Sequence, residues 1–185
     1  MRTPTRRFIS LILVALLIAS SPIRGAEARS AYEIDAAVRA TLDQFYLEIG
    51  SARELARKSF GILVFPSVVK AGFGFGGEYG EGALLVRDGP PTYYNTLSAS
   101  FGFQLGVQAK SVIIMFMTSE ALYGFYSKAG WKVGVDGSVV LVTIGAGGAI
   151  DTNTIRSPII GFIFDQKGLM YNLTLEGSKI SRIYR

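Results

Sequence analysis

The sequence predicts an α+β fold: two N-terminal helices packed on a glycine-rich, mostly antiparallel β-sandwich or partial barrel, with one inserted short helix. Three observations lead to this prediction. Apolar residues recur at helical spacing only between residues 30 and 60 and again near residue 120. Most of the chain beyond residue 60 instead alternates as strands do. Many of the 22 glycines fall inside those strand-like stretches, and such a bare strand face admits close approach by a helix, another sheet or a flat apolar ligand.

The N-terminus has the pattern of a secretory signal. A basic start (Arg2–Arg7) precedes an apolar stretch (Phe8–Ala19) and a small-residue cleavage site (Ala26–Ala28). The apolar stretch is shorter than the roughly 18–20 residues that a membrane-spanning helix needs. We therefore predict a signal peptide over 1–28 and a single domain over 29–185, located in the periplasm or secreted. The export route, general secretory or twin-arginine, stays open.

Removal of this segment changes the charge argument. Residues 1–28 carry four Arg and one Glu, so the net charge falls from +5 to +2. Most of the basic character that would favour a nucleic-acid partner is thereby lost, and we expect none. The chain has no Cys, so no disulfide can form even in an oxidising compartment. Stability must come from burial, for which the remaining length suffices.

Two helix starts follow the predicted cleavage site. Ser30–Glu33 has the pattern of a capping box, in which the hydroxyl and the carboxylate satisfy free backbone amides. The helix ends at Gly50 and carries one apolar stripe, made of Ile34, Val38, Leu42, Phe45 and Ile49. A second box, Ser51–Glu54, opens a shorter helix to about Lys58. The helices either pack on the domain or lie as an amphipathic pair on a membrane surface, and the pattern favours packing.

Strand patterns fill most of the remaining chain. Phe60–Phe65 is a short apolar run stopped by Pro66, and Val68–Phe75 follows it. Apolar and small or polar residues alternate most clearly over 97–107, which predicts a strand with two distinct faces. Its apolar face consists of Leu97, Ala99, Phe101, Phe103, Leu105 and Val107. Further strands are predicted at 112–117, 139–150, 159–164 and 169–175, with turns at 88–91 and 164–169. The inserted helix is predicted over Ser119 to about Lys128 and stopped by Gly130.

A glycine run within this region spells Gly72-x-Gly74-x-x-Gly77. In a dinucleotide-binding fold this pattern follows a strand and opens a helix whose N-terminus meets the pyrophosphate. Here Leu84–Val86 reads as another strand, so no helix follows. The run therefore predicts a glycine-lined sheet rather than a nucleotide site.

The chain contains no His and no Cys, which removes the commonest general base, the thiol nucleophile and almost all zinc sites. The remaining acidic candidates are Glu78, Glu81, Asp136 and Asp151. A regular strand places Glu78 and Glu81 on opposite faces, whereas a glycosidase pair must converge across a cleft. Asp136 and Asp151 are more typical of a turn and a strand-end loop. We therefore expect a protein that is not an enzyme, with no catalytic residue, metal site or cofactor.

Several blocks of the sequence, taken in order, resemble the SYLF-domain family: Phe60–Pro66, Val69–Gly72, the glycine run, Ser98–Val107 and Gly134–Ser138. The resemblance extends over about 31–183. It implies binding of phosphoinositides or other anionic lipids through an N-terminal amphipathic helix and a basic surface, and in some members binding of actin filaments.

Carried onto this chain, the resemblance implies a lipid-binding helix over Ser30–Ile49, with Arg39 on it, and makes Lys70 the best single basic position. Our reading of the short helix adds Arg53, Arg57 and Lys58. An exported protein would not meet cytosolic actin of its own cell, which argues against an actin role. We expect a lipid-associated envelope or secreted protein that binds anionic membrane lipid. The alternative is a structural or protein-partner-binding envelope protein without lipid specificity.

Overall fold

The computed structural model describes residues 28–144, 156–168, 175 and 177–185. Within them three helices and six strands follow in order, namely α1 (Ala31–Glu48), α2 (Ala52–Lys58), β1 (Gly61–Val86), β2 (Thr92–Phe116), α3 (Ser119–Tyr126), β3 (Trp131–Lys132), β4 (Val140–Thr143), β5 (Ile159–Gly168) and β6 (Lys179–Arg182). Most of the predicted signal peptide, the candidate Asp151 and nearly all of the last predicted strand lie outside the described residues.

Helix α1 begins as its sequence predicts. The Ser30 backbone amide donates to the Glu33 carboxylate at 2.8 Å, and the Glu33 amide donates to the Ser30 hydroxyl at 3.3 Å. The prediction of a second capping box at Ser51–Glu54 is wrong. Ser51 has a helical backbone conformation and its side chain makes no cap hydrogen bond, because the amides of Glu54 and Leu55 already donate to its carbonyl oxygen. Helix α2 nevertheless ends at Lys58, as predicted.

Strands β1 and β2 form one long antiparallel hairpin, in which separately predicted strands are joined. Its turn lies at residues 87–91, as predicted, with Asp88 at φ 62°. The prediction that Pro66 stops a strand is wrong. Pro66 lies in β1 at a register shift between Phe65 and Val68, where a missing amide donor is tolerated. Its carbonyl oxygen accepts a hydrogen bond from the Ser111 hydroxyl at 2.8 Å.

The hairpin folds back on itself at its middle. A second register shift separates Phe73 from Phe75. A Cβ on Gly80 would lie 2.9 Å from the Ser67 carbonyl oxygen, and one on Gly82 would overlap the Val64 carbonyl oxygen. In a straight strand Val64 and Gly82 would be about 60 Å apart. We call residues 61–72 with 106–116 the first arm and residues 76–86 with 92–100 the second arm.

The other strands extend these two arms into a curled sheet. Strand β5 pairs antiparallel with residues 108–116 of β2, and β4 pairs parallel with β5. Strand β6 pairs antiparallel with residues 94–97 of β2, and β3 with β6. The sheet is therefore mostly antiparallel and curled into a partial barrel. The predicted α+β class is confirmed.

Two apolar clusters hold this arrangement together. The inner cluster lies between the arms and includes Leu63, Leu84, Phe116, Phe125 of α3 and Trp131. The outer cluster lies beneath α1, whose buried residues are Ile34, Val38, Thr41, Leu42 and Phe45. These pack on both arms, through Val64, Ile113 and Met115 of the first and Ala83 of the second. The α1 stripe is thus packed on the domain, as the pattern favoured.

Two local predictions need correction or completion. The predicted turn at 164–169 is wrong, because β5 continues through it to Gly168. Asp165, at φ 50°, instead lies opposite a register shift between Ala109 and Ser111 of β2. The residues that resemble a turn in the sequence therefore form a bulge within β5. At both ends of the predicted alternation the apolar face points outward: Leu97 is 55 % exposed and Val107 65 %.

Candidate basic groove at the ends of the arms

Helix α2 carries a row of exposed cations beside the ends of β1. Its inner face is fixed by Ala52 and Leu55, which are buried in the outer cluster. The helical period therefore turns Arg53, Arg57 and Lys58 outward, where all three are exposed. These residues were predicted as lipid-binding, and the structure brings them together on one helix face.

A groove runs beneath this row. Because β1 folds back on itself, both of its ends reach the same place, so Gly61 and Ile62 lie beside Leu85 and Val86. One part of the groove has a volume of about 490 Å³ and is lined by these four residues together with Ala56, Arg57, Ser59, Phe60 and Arg87. An adjoining part of about 400 Å³ is lined by Tyr46, Arg53, Ala56, Arg57 and Ile62. The floor is apolar and the rim is cationic.

The rim cations are held in different ways. Lys58 is neutralised by Glu54 in a helical ion pair of 2.6 Å, and this pair lowers the pKa of the Glu54 carboxyl. The Arg53 guanidinium lies over the Tyr46 ring, 4.8 Å from its centroid. The Arg87 Nη2 atom donates to the Arg57 carbonyl oxygen at 3.0 Å, at the C-terminal end of α2. Among the described residues, Arg53, Arg57 and Arg87 have no carboxylate within ion-pair distance.

Burial raises the pKa of the Tyr46 hydroxyl at the edge of this groove, while the Arg53 charge opposes that shift. The hydroxyl therefore stays protonated near neutral pH and can donate a hydrogen bond. Together with three guanidinium groups, the groove offers many donors and an apolar floor, a combination suited to an amphiphilic anion.

Arg87 was missed by the sequence reasoning. It follows a buried strand and precedes the turn at 88–91, so the sequence does place it at a strand end. Only the folding of the hairpin brings that end beside α2, and no local pattern predicts this contact.

Two predicted lipid-binding residues lie elsewhere. Arg39 is exposed on α1, where its Nε donates to the Asp35 carbonyl oxygen at 3.3 Å. Lys70 does not lie at the surface, because its side chain is 5 % exposed and its Nζ lies 3.7 Å from the Glu78 carboxylate. It forms part of a buried ionic cluster on the inner face of the hairpin.

In that cluster a second lysine, Lys110, forms an ion pair with Glu78. The Lys110 Nζ lies 3.2 Å from the carboxylate, with both side chains almost fully buried. Burial lowers the pKa of Lys110, and the Glu78 charge opposes that shift. Glu78 is thus occupied as a counter-ion, which leaves it no geometry for acid–base work on a substrate.

The two other acidic candidates that the structure describes, Glu81 and Asp136, are also engaged in structural contacts. Glu81 is buried apart from Glu78, and its Oε1 atom accepts from the Tyr79 hydroxyl at 2.7 Å and from Arg185 at 2.5 Å. Asp136 accepts from the Lys132 amide at 2.8 Å in the predicted turn. Within the described ranges no group of three or more acidic side chains could hold a metal ion. No described helix is long and apolar enough to cross a bilayer.

Comparison with known families adds to this geometry. A family model described as Ysc84, Las17-binding protein actin regulator, matches residues 97–183. This match supports the resemblance to the SYLF-domain family over that part of the chain. That description names binding and regulation, not catalysis. The match covers the second strand of the hairpin from Leu97 onward and the elements after it, whereas the groove is built from residues that precede it. No curated protein matches the chain.

Proposed function

We propose that this SYLF-like chain is a non-enzymatic protein of the bacterial envelope, or a secreted one, that binds anionic phospholipid head groups at a membrane surface. One observation carries the proposal. Arg53, Arg57 and Arg87 surround a groove with an apolar floor, and among the described residues none of them has an acidic partner.

The chemistry of these groups suits a phosphate-bearing lipid. A guanidinium presents its N–H donors as a planar fork that matches two phosphate oxygens, and it is more weakly hydrated than an ammonium group. Three such groups favour a head group with more than one anionic position, as in phosphoinositide-like lipids. The exposed Phe60 ring and the Ile62 side chain offer apolar contacts for the upper acyl chain.

Each basic residue placed near an anionic surface contributes about 1 kcal/mol, an attraction that salt screens. Binding through three arginines is therefore expected to be weak to moderate and salt-sensitive. The predicted signal peptide supports a location in the periplasm or outside the cell, and with it a bacterial or host membrane as the partner in preference to cytosolic actin.

The test is co-sedimentation of the purified protein with vesicles of phosphatidylglycerol and phosphatidylcholine at low and high salt. We expect the triple variant Arg53→Gln/Arg57→Gln/Arg87→Gln to lose about 100-fold in partitioning. The matched control is Arg29→Gln/Arg156→Gln/Lys167→Gln, which removes the same charge from exposed positions elsewhere. The N-terminal segment is the same in all variants, so its contribution to vesicle binding cancels when the variants are compared.

Equal losses in the two triple variants would show that net charge, not the groove, governs binding. Equal binding of the unmodified protein to purely zwitterionic vesicles would overturn the lipid proposal itself. It would leave the alternative of an envelope protein that docks a protein partner.

A further inference from the structure

One row of side chains crosses the outer face of the second arm over four neighbouring strands. Tyr79 of β1 lies opposite Leu97 of β2, Leu97 lies opposite Lys179 of β6, and Lys179 lies opposite Lys132 of β3. Partners in a register point to the same face of a sheet. The row therefore passes directly from an aromatic and an aliphatic residue to two lysines.

All four side chains reach solvent. Tyr79 is 46 % exposed, Leu97 is 55 % exposed, and both lysines are exposed. None of the four belongs to either apolar cluster, because α1 packs farther along the arms, on Ala83 and the partly buried Tyr93. Phe75, at the fold of the hairpin, is 72 % exposed and continues the apolar end of the row.

The two lysines stand directly opposite each other, and such a like-charge pair across two strands is destabilising. The Lys179 stem lies against Gly130, in contact with the position that a Cβ would take there. Among the described residues neither ammonium group has an ion-pair partner. The nearby Asp136 carboxylate is engaged by the Lys132 amide and by Lys128 at 3.5 Å. An anionic group between the lysines would relieve their repulsion.

We propose that this face is a second surface for an anionic bilayer, in addition to the arginine-rimmed groove. The lysine pair takes the lipid phosphates, while Leu97 and the exposed edge of the Tyr79 ring, whose hydroxyl is held by Glu81 at 2.7 Å, contact the apolar layer beside them. The inference rests on the proposed function, since it presumes that the protein meets anionic membranes. The two surfaces share no residue, and Tyr79 lies about 23 Å along β1 from Val86 in the groove.

The contact can be observed with one reporter. Trp131 is the only tryptophan and is 1 % exposed, so its emission stays that of a buried ring. In Leu97→Trp the new ring is at the surface. We expect its emission to shift to the blue with phosphatidylglycerol vesicles and to be quenched by brominated acyl chains. An unshifted emission from protein that co-sediments with these vesicles would overturn the inference.

A second variant tests the lysines independently of any effect of Leu97→Trp on folding. Lys132→Gln/Lys179→Gln is expected to weaken partitioning onto phosphatidylglycerol vesicles about 25-fold, about fivefold per lysine. The control Arg156→Gln/Lys167→Gln removes the same charge elsewhere and is expected to bind several-fold more tightly than the lysine variant. Equal losses in these two variants would count against this surface.

The outcomes separate the two proposals. Loss of binding in the arginine triple variant, with Leu97→Trp unshifted, removes the second surface and keeps the groove. Loss in the lysine variant alone, with a shifted Leu97→Trp, keeps this surface and removes the groove. Absence of binding to anionic vesicles in the unmodified protein removes both.

Discussion

Replacing Gly82 by Ala probes the fold of the hairpin most directly. The added Cβ would overlap the Val64 carbonyl oxygen and come within 2.8 Å of the Val64 carbonyl carbon and 2.9 Å of the Phe65 ring. Two of these three atoms belong to the backbone, so no rotamer change can relieve the overlap. The two arms must instead move apart at their crossing.

The expected cost follows from two opposing effects. Adding one carbon to a closely packed interior costs about 1–3 kcal/mol, and the backbone contact places Gly82→Ala at the upper end. Alanine also reduces the entropy of the unfolded chain, which returns about 0.4–1 kcal/mol. We expect a net loss of about 2–2.6 kcal/mol in the free energy of unfolding.

The matched control is Gly77→Ala in the same strand. Its Cβ would lie 3.7 Å from the nearest atom, the Ser98 carbonyl oxygen. Neither glycine has a positive φ, so neither substitution strains the backbone conformation, and Gly77→Ala is expected to be neutral or slightly stabilising.

Urea unfolding followed by Trp131 fluorescence measures both variants. With a slope of about 2 kcal/mol per molar urea, the midpoint of Gly82→Ala should fall by about 1–1.3 M. If Gly82→Ala and Gly77→Ala unfold at the same urea concentration, the close crossing of the arms is refuted.

Two further predictions concern the clusters. Burial, with a smaller effect of Tyr126, raises the pKa of Tyr94 to about 12, above its unfolded value of about 10; the stability that this hydroxyl contributes is therefore present below pH 10 and lost as the pH rises to 12. Urea unfolding at pH 9 and at pH 11.5 measures this loss of stability, which is at most about 2.7 kcal/mol in the unmodified protein. The loss should be smaller in Tyr94→Phe, and an equal loss in both proteins would contradict the assignment to Tyr94. Phe45→Ala should cost about 3–5 kcal/mol, because its ring is buried beneath α1. Leu47→Ala on the exposed side of α1 should change stability by under about 0.5 kcal/mol, and similar losses in the two would mean that α1 is not packed as described.

Local chemistry was sufficient to predict the helices. The Ser30–Glu33 box and the stripe from Ile34 to Phe45 depend on contacts within a few residues, so the sequence alone contains them. The Ser51 box shows the limit of the same reasoning. The motif is present, but the short connection after α1 already holds Ser51 in a helical conformation.

The strands were predictable as strands but not in their extent. Pro66 and Asp165 have the chemistry of breaks, yet both lie at bulges inside long strands. A bulge and a turn use the same residue types, and only the pairing partner distinguishes them. The glycines at 80 and 82 likewise give no local sign of what they approach, since Val64 lies 18 positions from Gly82 in the sequence.

The residues of the candidate site were likewise predictable only where they depend on local sequence. Arg53 and Arg57 were predictable because they share a helix face with known period. Lys70 was misjudged as a surface position, because a basic residue beside a glycine run says nothing of the buried Glu78 that pairs with it. The pairing of Lys132 with Lys179 could not be predicted, because it depends on the register between β3 and β6.

The doubled hairpin also constrains how the sequence can change in length. Both arms are made from the same two strands, so an insertion of one residue in the first arm shifts every later side chain of that strand to the opposite face. A tolerated insertion would need a compensating bulge before the fold at Phe73–Phe75. We expect natural length variation in such a chain to accumulate in the turn at 87–91, where an extra residue alters neither arm.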